Sequence, residues 1–132
     1  MMEKIRLPEE LNVLIDHIEE FMSNDNTVKI SKHDLLSVLS EDELSHGSIQ
    51  HYTFKGSMSV ILYDITTLPR DFNNTLFTIR GDISLFDVND IGAALKDVCS
   101  NKDMHVRFGV QYDDSSVDCI CNVYLFYDGN EK

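Results

Sequence analysis

Apolar side chains recur at helical spacing at Leu85, Val88, Ile91, Leu95 and Val98, and then at alternate positions at Val106, Phe108, Val110 and Tyr112. The first pattern predicts an amphipathic helix and the second a half-buried strand, because one period matches 3.6 residues per turn and the other matches the pleat. Ser84 and Asp87 stand at capping-box spacing at the helix start, and the polar run 100–103 ends it. Small Gly92, Ala93 and Ala94 at mid-helix suggest a face pressed closely against a flat surface. His105, Arg107, Gly109 and Gln111 fall on the polar side of the strand, which the run 113–116 closes.

The N-terminal half carries a second set of patterns. Leu11, Leu14, Ile15, Ile18, Phe21 and Met22 share one face of a helix over 7–23, with Pro8 in its first turn and Leu7 placed to staple onto Leu11. Val28 and Ile30 lead into Ser31-Lys32-His33-Asp34, another capping-box spacing, before a short helix carrying Leu35, Leu36, Val38 and Leu39. Residues 47–54 read as a strand. Residues 57–67 are ambiguous: their β-branched and aromatic content favours a strand, while the spacing of Val60, Ile61, Asp64, Ile65 and Leu68 fits a helix. After a loop over 69–75, residues 76–80 and 117–127 read as strands, the last forming a hairpin with 106–112. The sum is an α+β domain: a four-stranded mixed sheet with helices packed on one face, preceded by an amphipathic helix. It is expected to be a single domain over 1–132, with the leading helix at 7–23 and the α+β layer at 28–132.

Composition narrows the class of partner. The chain has 132 residues and an apolar fraction of 42%, enough for a core without disulfides or metal. Eleven basic against 23 acidic residues give a net charge of -12, which repels phosphate backbones and anionic lipid. No nucleic-acid partner and no membrane insertion are therefore expected. Cys99, Cys119 and Cys121 lie within apolar patterns without a CxxC spacing, as packing thiols of a reduced, cytoplasmic protein do. The charged start MMEKIRLPEE is no signal peptide, and Met1-Met2 close to a well-formed helix favours a natural start over a fragment of a longer chain.

The order LFDVND, helix, HVRFGVQYDD resembles the C-terminal domain of FtsZ, the bacterial tubulin-like division protein, where (L/F)FE(V/I)NE, a helix and NIIFGAVID are expected. The resemblance covers about 45 residues. It implies a four-stranded sheet carrying helices, makes 57–67 a helix, and makes the leading helix the connector between the two FtsZ domains. It also places VKISKHDLL, residues 28–36, where the family has the loop NVDFADV, which enters the next subunit's nucleotide site. Lys29 stands at the family's Asn, Ser31 at its first Asp and Asp34 at its second; with Lys32 and His33 these form the candidate interaction loop. Ser and Asp are both good N-caps, so Ser31 keeps a helix start while losing the charge that hydrolysis would use.

Candidate chemistry elsewhere is sparse. There is no GxxxxGK(S/T), no GxGxxG and no glycine-threonine loop of the tubulin type, so no nucleotide or other cofactor is expected. His17, His33, His46, His51 and His105 lack metal-ligand spacing and read as surface residues; Asp113 and Asp114 read as turn residues, and Cys119 and Cys121 as a buried thiol pair. No catalytic or metal residue is assigned. The reading that follows is a non-catalytic FtsZ-like C-terminal domain and not an enzyme: a protein-interaction or filament-modulating module. Its expected partner is FtsZ, another tubulin-like protein, or a second copy of itself. The alternative is an α+β small-ligand-binding protein or small enzyme that has lost the polymer role.

Overall fold

A computed structural model describes residues 2–6, 16, 27–28, 47–101, 103–113 and 118–127. In chain order its elements are β1 (Met2–Arg6), β2 (Thr27–Val28), β3 (Ser48–Gly56), α1 (Met58–Ile65), β4 (Asn74–Gly81), α2 (Leu85–Val98), β5 (Val106–Tyr112) and β6 (Cys119–Tyr127). They form one mixed sheet in the order β1-β3-β6-β4-β5-β2. The four inner strands are the four expected ones, and the α+β class holds. Short β1 and β2 extend the sheet at its two edges. Of the expected leading helix over 7–23 only Asp16, helical and exposed, is among the described residues.

The ambiguous segment 57–67 is helical over Met58–Ile65. Gly56, at φ 143°, turns the chain out of β3, and the Ser57 hydroxyl accepts from the Val60 amide at 3.3 Å to cap the first turn. Ile61 and Ile65 are fully buried and Leu68 nearly so, while Val60 and Tyr63 point outward. The helix buries a coherent apolar stripe that a strand would divide between two faces, and this burial overrides the β propensity. In α2 the capping box is complete: the Asp87 amide donates to the Ser84 hydroxyl and the Ser84 amide to the Asp87 carboxylate. Val88, Ile91, Leu95 and Val98 are its buried residues.

The expected hairpin between the last two strands is corrected. β6 pairs antiparallel with β3 and with β4, whereas β5 pairs parallel with β4, so β4 separates β5 from β6. β6 is apolar on both sides: Cys121, Val123, Leu125 and Tyr127 point to the helices, and Tyr124 and Phe126 to the opposite face, all nearly or fully buried. A strand buried on both faces belongs inside a sheet, away from the polar turn of an edge hairpin. β4 likewise buries Phe77 and Ile79 toward the helices and Leu76 on the other side.

β3, β4 and β5 all run in one direction, with β6 antiparallel between β3 and β4. The connections β3-α1-β4 and β4-α2-β5 are therefore crossovers that advance the same way across the sheet. Right-handed crossovers place both helices on one face, as expected from the sequence. Core packing joins Ile61, Ile65, Val88, Ile91 and Leu95 to Phe77, Ile79, Cys121 and Val123. The opposite face is dry as well: Ile49, Leu76 and Phe126 are fully buried, and His51 stacks on Tyr124 with ring centroids 4.4 Å apart.

A net of side-chain bonds joins the loop before β4 to the end of α2. The Ser100 amide and hydroxyl both donate to the Arg70 carbonyl at 2.8 Å, the Cys99 thiol to the Phe72 carbonyl, and the His105 amide to Asn74 Oδ1 at 3.0 Å. At the other end of β4, Gly81 has φ 150°, and a Cβ there would stand 2.9 Å from Cys119 Sγ and 3.1 Å from Cys119 Cα. Both the backbone conformation and the space demand glycine. Gly81→Ala is expected to lower unfolding free energy by about 1–3 kcal/mol in urea titration; an unchanged midpoint would show that β4 and β6 can separate there without cost.

Candidate functional site

A recess lies between α2 and β5, where the helix layer ends. It is a cleft of about 450 Å³, within the usual range of ligand pockets. Its base is Phe77, fully buried, with Val88 beside it. Val106 and Phe108 form the strand wall, and the Phe108 ring stacks on Phe77 with centroids 5.7 Å apart and an interplanar angle of 21°. Phe108 remains 41% exposed, so a large part of its ring is turned to the opening.

The helix wall is a second stripe of α2, distinct from the one that builds the core. Leu85, Asn89, Gly92, Ala93 and Lys96 line it, at spacings of three and four residues that keep them on one side of a helix. Leu85 is 69% exposed although it occupies the first apolar position of the expected core stripe. Gly92 is equally informative: a Cβ placed on it meets nothing within 4 Å. The expectation that Gly92 and Ala93 press against a flat surface is corrected, since Gly92 opens onto the cleft and Ala93 is exposed; Ala94 alone of the three packs against the core. Asn89 supplies a carboxamide and Lys96 an ammonium, the two polar side chains long enough to reach an occupant. A smaller recess of about 240 Å³ is lined by Lys96 together with Asp97, Asn101 and Met104.

The residues singled out from sequence fall elsewhere. Lys29, Ser31, Lys32, His33 and Asp34 lie outside the described residues, as do His17, His33, His46 and Asp114. His51, expected at the surface, is buried on the sheet, where its Nε2 lies 3.0 Å from Asn122 Oδ1. His105 is exposed. Asp113 donates its amide to the Gly81 carbonyl, continuing the strand pairing. Gln111, read as solvated, is buried and accepts from Arg80 Nε at 2.9 Å, because the polar side of β5 is covered rather than wet. Among the described residues no three His, Cys, Asp or Glu side chains gather as a metal site, and no helix is long and apolar enough to cross a membrane.

Cys119 and Cys121 share the helix side of β6 as a buried free thiol pair. Burial pushes the Cys121 thiol up strongly, with a smaller contribution from Cys119; burial raises Cys119 too, followed by Asp87, Asp82 and Asp118. Thiols held protonated this way are poor nucleophiles. Phe108 and Lys96 were missed as site residues because each also fits a structural role, in strand alternation and at a helix end. The available signal was Leu85-Asn89-Gly92-Lys96, a stripe offset from the core stripe, with a glycine at its centre.

No family model matches the chain, and no curated protein matches it. Among solved structures it is similar to thiamine monophosphate kinase from Aquifex aeolicus, at 12% identity over 89% of this chain and 42% of that one, with a TM-score of 0.42. The same enzyme complexed with AMPPCP and TMP matches at 12% identity over 86% and 40%, TM-score 0.34. Thiamine-monophosphate kinase from Stenotrophomonas maltophilia K279a matches at 8% identity over 98% and 46%, TM-score 0.37. The chain thus spans less than half the length of these neighbours. At such scores the likeness assigns no activity.

These findings correct the resemblance to FtsZ. No family model supports it, and the structural neighbours are kinases rather than tubulin-like proteins. The non-catalytic filament module, the statement that the chain is not an enzyme, and the division and cytoskeletal assignments were tied to that resemblance and fall with it. The physical reason is that a capped amphipathic helix followed by an alternating strand is a general unit of α+β packing.

Two outcomes follow from the site. Gly92→Ala is expected to raise unfolding free energy by about 0.5–1 kcal/mol in urea, since alanine restores helix propensity and meets no obstruction; a loss of stability would mean that α2 is packed there. For Cys121, the unfolded thiol ionises near 9.0 while the folded one stays protonated, so its contribution is intact below pH 9 and lost as pH rises. Stability is expected to drop by about 1.4 kcal/mol more between pH 8 and 10 in the parent chain than in Cys121→Ala, read from paired urea titrations; equal drops would contradict the burial of the thiol.

Proposed function

We propose that this chain is a small-ligand-binding α+β domain whose ligand enters the cleft between α2 and β5. The reading covers a substrate that reacts as well as a ligand that does not. The observation that carries it is the cleft itself: an apolar recess with an aromatic base, kept open at mid-helix by Gly92. A mid-helix glycine costs helix stability, and here no close neighbour requires it. An occupant that approaches the helix backbone supplies the missing reason. Phe108, backed by the buried Phe77 ring, offers a stacking surface to a flat body, and Asn89 orients it through a carboxamide.

The test is a fragment titration of the isotope-labelled 132-residue chain, followed by amide chemical shifts. Flat apolar fragments are expected to shift Val106, Phe108, Asn89 and Gly92 together. Phe108→Ala is expected to weaken them about tenfold, the loss of one aromatic contact. Gly92→Leu is expected to abolish the shifts by filling the opening. Fragments that bind elsewhere, or that bind Gly92→Leu unchanged, would overturn the proposal.

A further inference from the structure

Lys96 is the cation of the cleft, and among the described residues no carboxylate pairs with it. Residues three and four positions away on a helix are the ones that face each other. For Lys96 these are Gly92, Ala93, Cys99 and Ser100, none of them acidic. Yet α2 carries Asp87, Asp90 and Asp97, and the whole chain has a net charge of -12. Asp87 is engaged in the capping box at the opposite end of the helix. Asp97 lines the neighbouring recess together with Lys96 and does not line the cleft. Among the described residues Lys96 forms no ion pair. In so acidic a chain, a lysine on an apolar cleft with no carboxylate within helical reach is a specific placement.

The rest of the cleft determines what kind of anion suits this lysine. Gly92 and Ala93, one turn before it, leave its stem bare and provide no hydrogen-bonding side chain. A phosphate-rich ligand would need several donors, and the lining offers one ammonium and one carboxamide. One singly charged group attached to a flat apolar body meets both halves of the lining. Screening over about 8 Å at physiological salt lets the local cation act against the distant acidic charge.

We infer that the cleft between α2 and β5 takes an aromatic or comparably flat apolar carboxylate, with the ring on Phe108 and the carboxylate against Lys96. This rests on the ligand-binding reading and adds to it the chemical class of the ligand. Lys96 also lies in the last turn of α2, where a cation is favoured by the helix dipole, so the deciding measurement must separate charge recognition from helix support.

The experiment compares 2-naphthoate with its neutral isostere 2-naphthamide by titration calorimetry on the 132-residue chain, in low and high salt. The naphthoate is expected to bind about three- to fivefold more tightly than the amide, as one partly exposed ion pair provides, and high salt is expected to narrow the gap. Lys96→Met is expected to bring the two ligands to parity, and Lys96→Arg to keep the preference. Helix support alone would shift both ligands equally or change only stability. Equal binding in the parent chain, or an undiminished preference in Lys96→Met, overturns the inference. Should neutral fragments still shift the cleft amides in that case, the ligand-binding reading stands without it; should nothing bind there, both fall.

Discussion

The position of β6 between β3 and β4 is the constraint on which the rest of the molecule depends. Its two faces are apolar, and both its edges are paired along their length with antiparallel neighbours. Inserting it widens the spacing between two strands that run the same way, so α1 must cross over it to reach β4. Since β3, β4 and β5 progress in one direction, α2 repeats the crossover one step further along. The helix layer therefore ends at α2 and the strand beneath that limit is β5. Phe108 reaches the helix side of β5 with no third helix among the described residues to cover it. The cleft is the margin of the layer.

Within that margin two stripes of α2 serve different ends. Val88, Ile91, Leu95 and Val98 bury themselves in the core, and a full side chain of this type contributes about 1.5–3 kcal/mol. Leu85, Asn89, Gly92 and Lys96 carry almost none of that burden, and one of them weakens the helix. Core packing and cleft lining are thus divided around one helix. That division permits residues on the cleft side to change without unfolding the core, which is the usual condition for binding specificity to vary on a constant scaffold.

Much of the fold was legible where one local rule was decisive. The Ser84-Asp87 capping box, the strand from Val106 to Tyr112 and the apolar surroundings of the cysteines all came through, because each depends on near neighbours in sequence. Strand pairing did not. Residues 117–127 were read as the hairpin partner of 106–112, although Ile120, Tyr124 and Phe126, opposite Cys119, Cys121, Val123 and Leu125, already mark a strand with two apolar sides. Segment 57–67 set propensity against spacing, and tertiary burial decided for spacing. Gly92 was legible as small but not as open, since a residue's missing neighbours are a property of the whole packing. The resemblance to FtsZ failed for a related reason: its matched residues specify a helix cap and a strand pleat, which many α+β folds share.

The bonds from Arg70, Phe72 and Asn74 to residues 99–105 hold the two ends of the cleft differently. At the Lys96 end, any outward tilt of α2 must break several hydrogen bonds that join it to the loop before β4. At the Leu85 end the helix is capped by its own Ser84 and Asp87, so the cap travels with it. The helix is mounted like a clasp, fastened at one end and self-contained at the other. In the ligand-binding reading proposed above, Lys96 thus stands at the end of α2 that is tied to the rest of the sheet, and Leu85 at the end whose cap belongs to the helix itself.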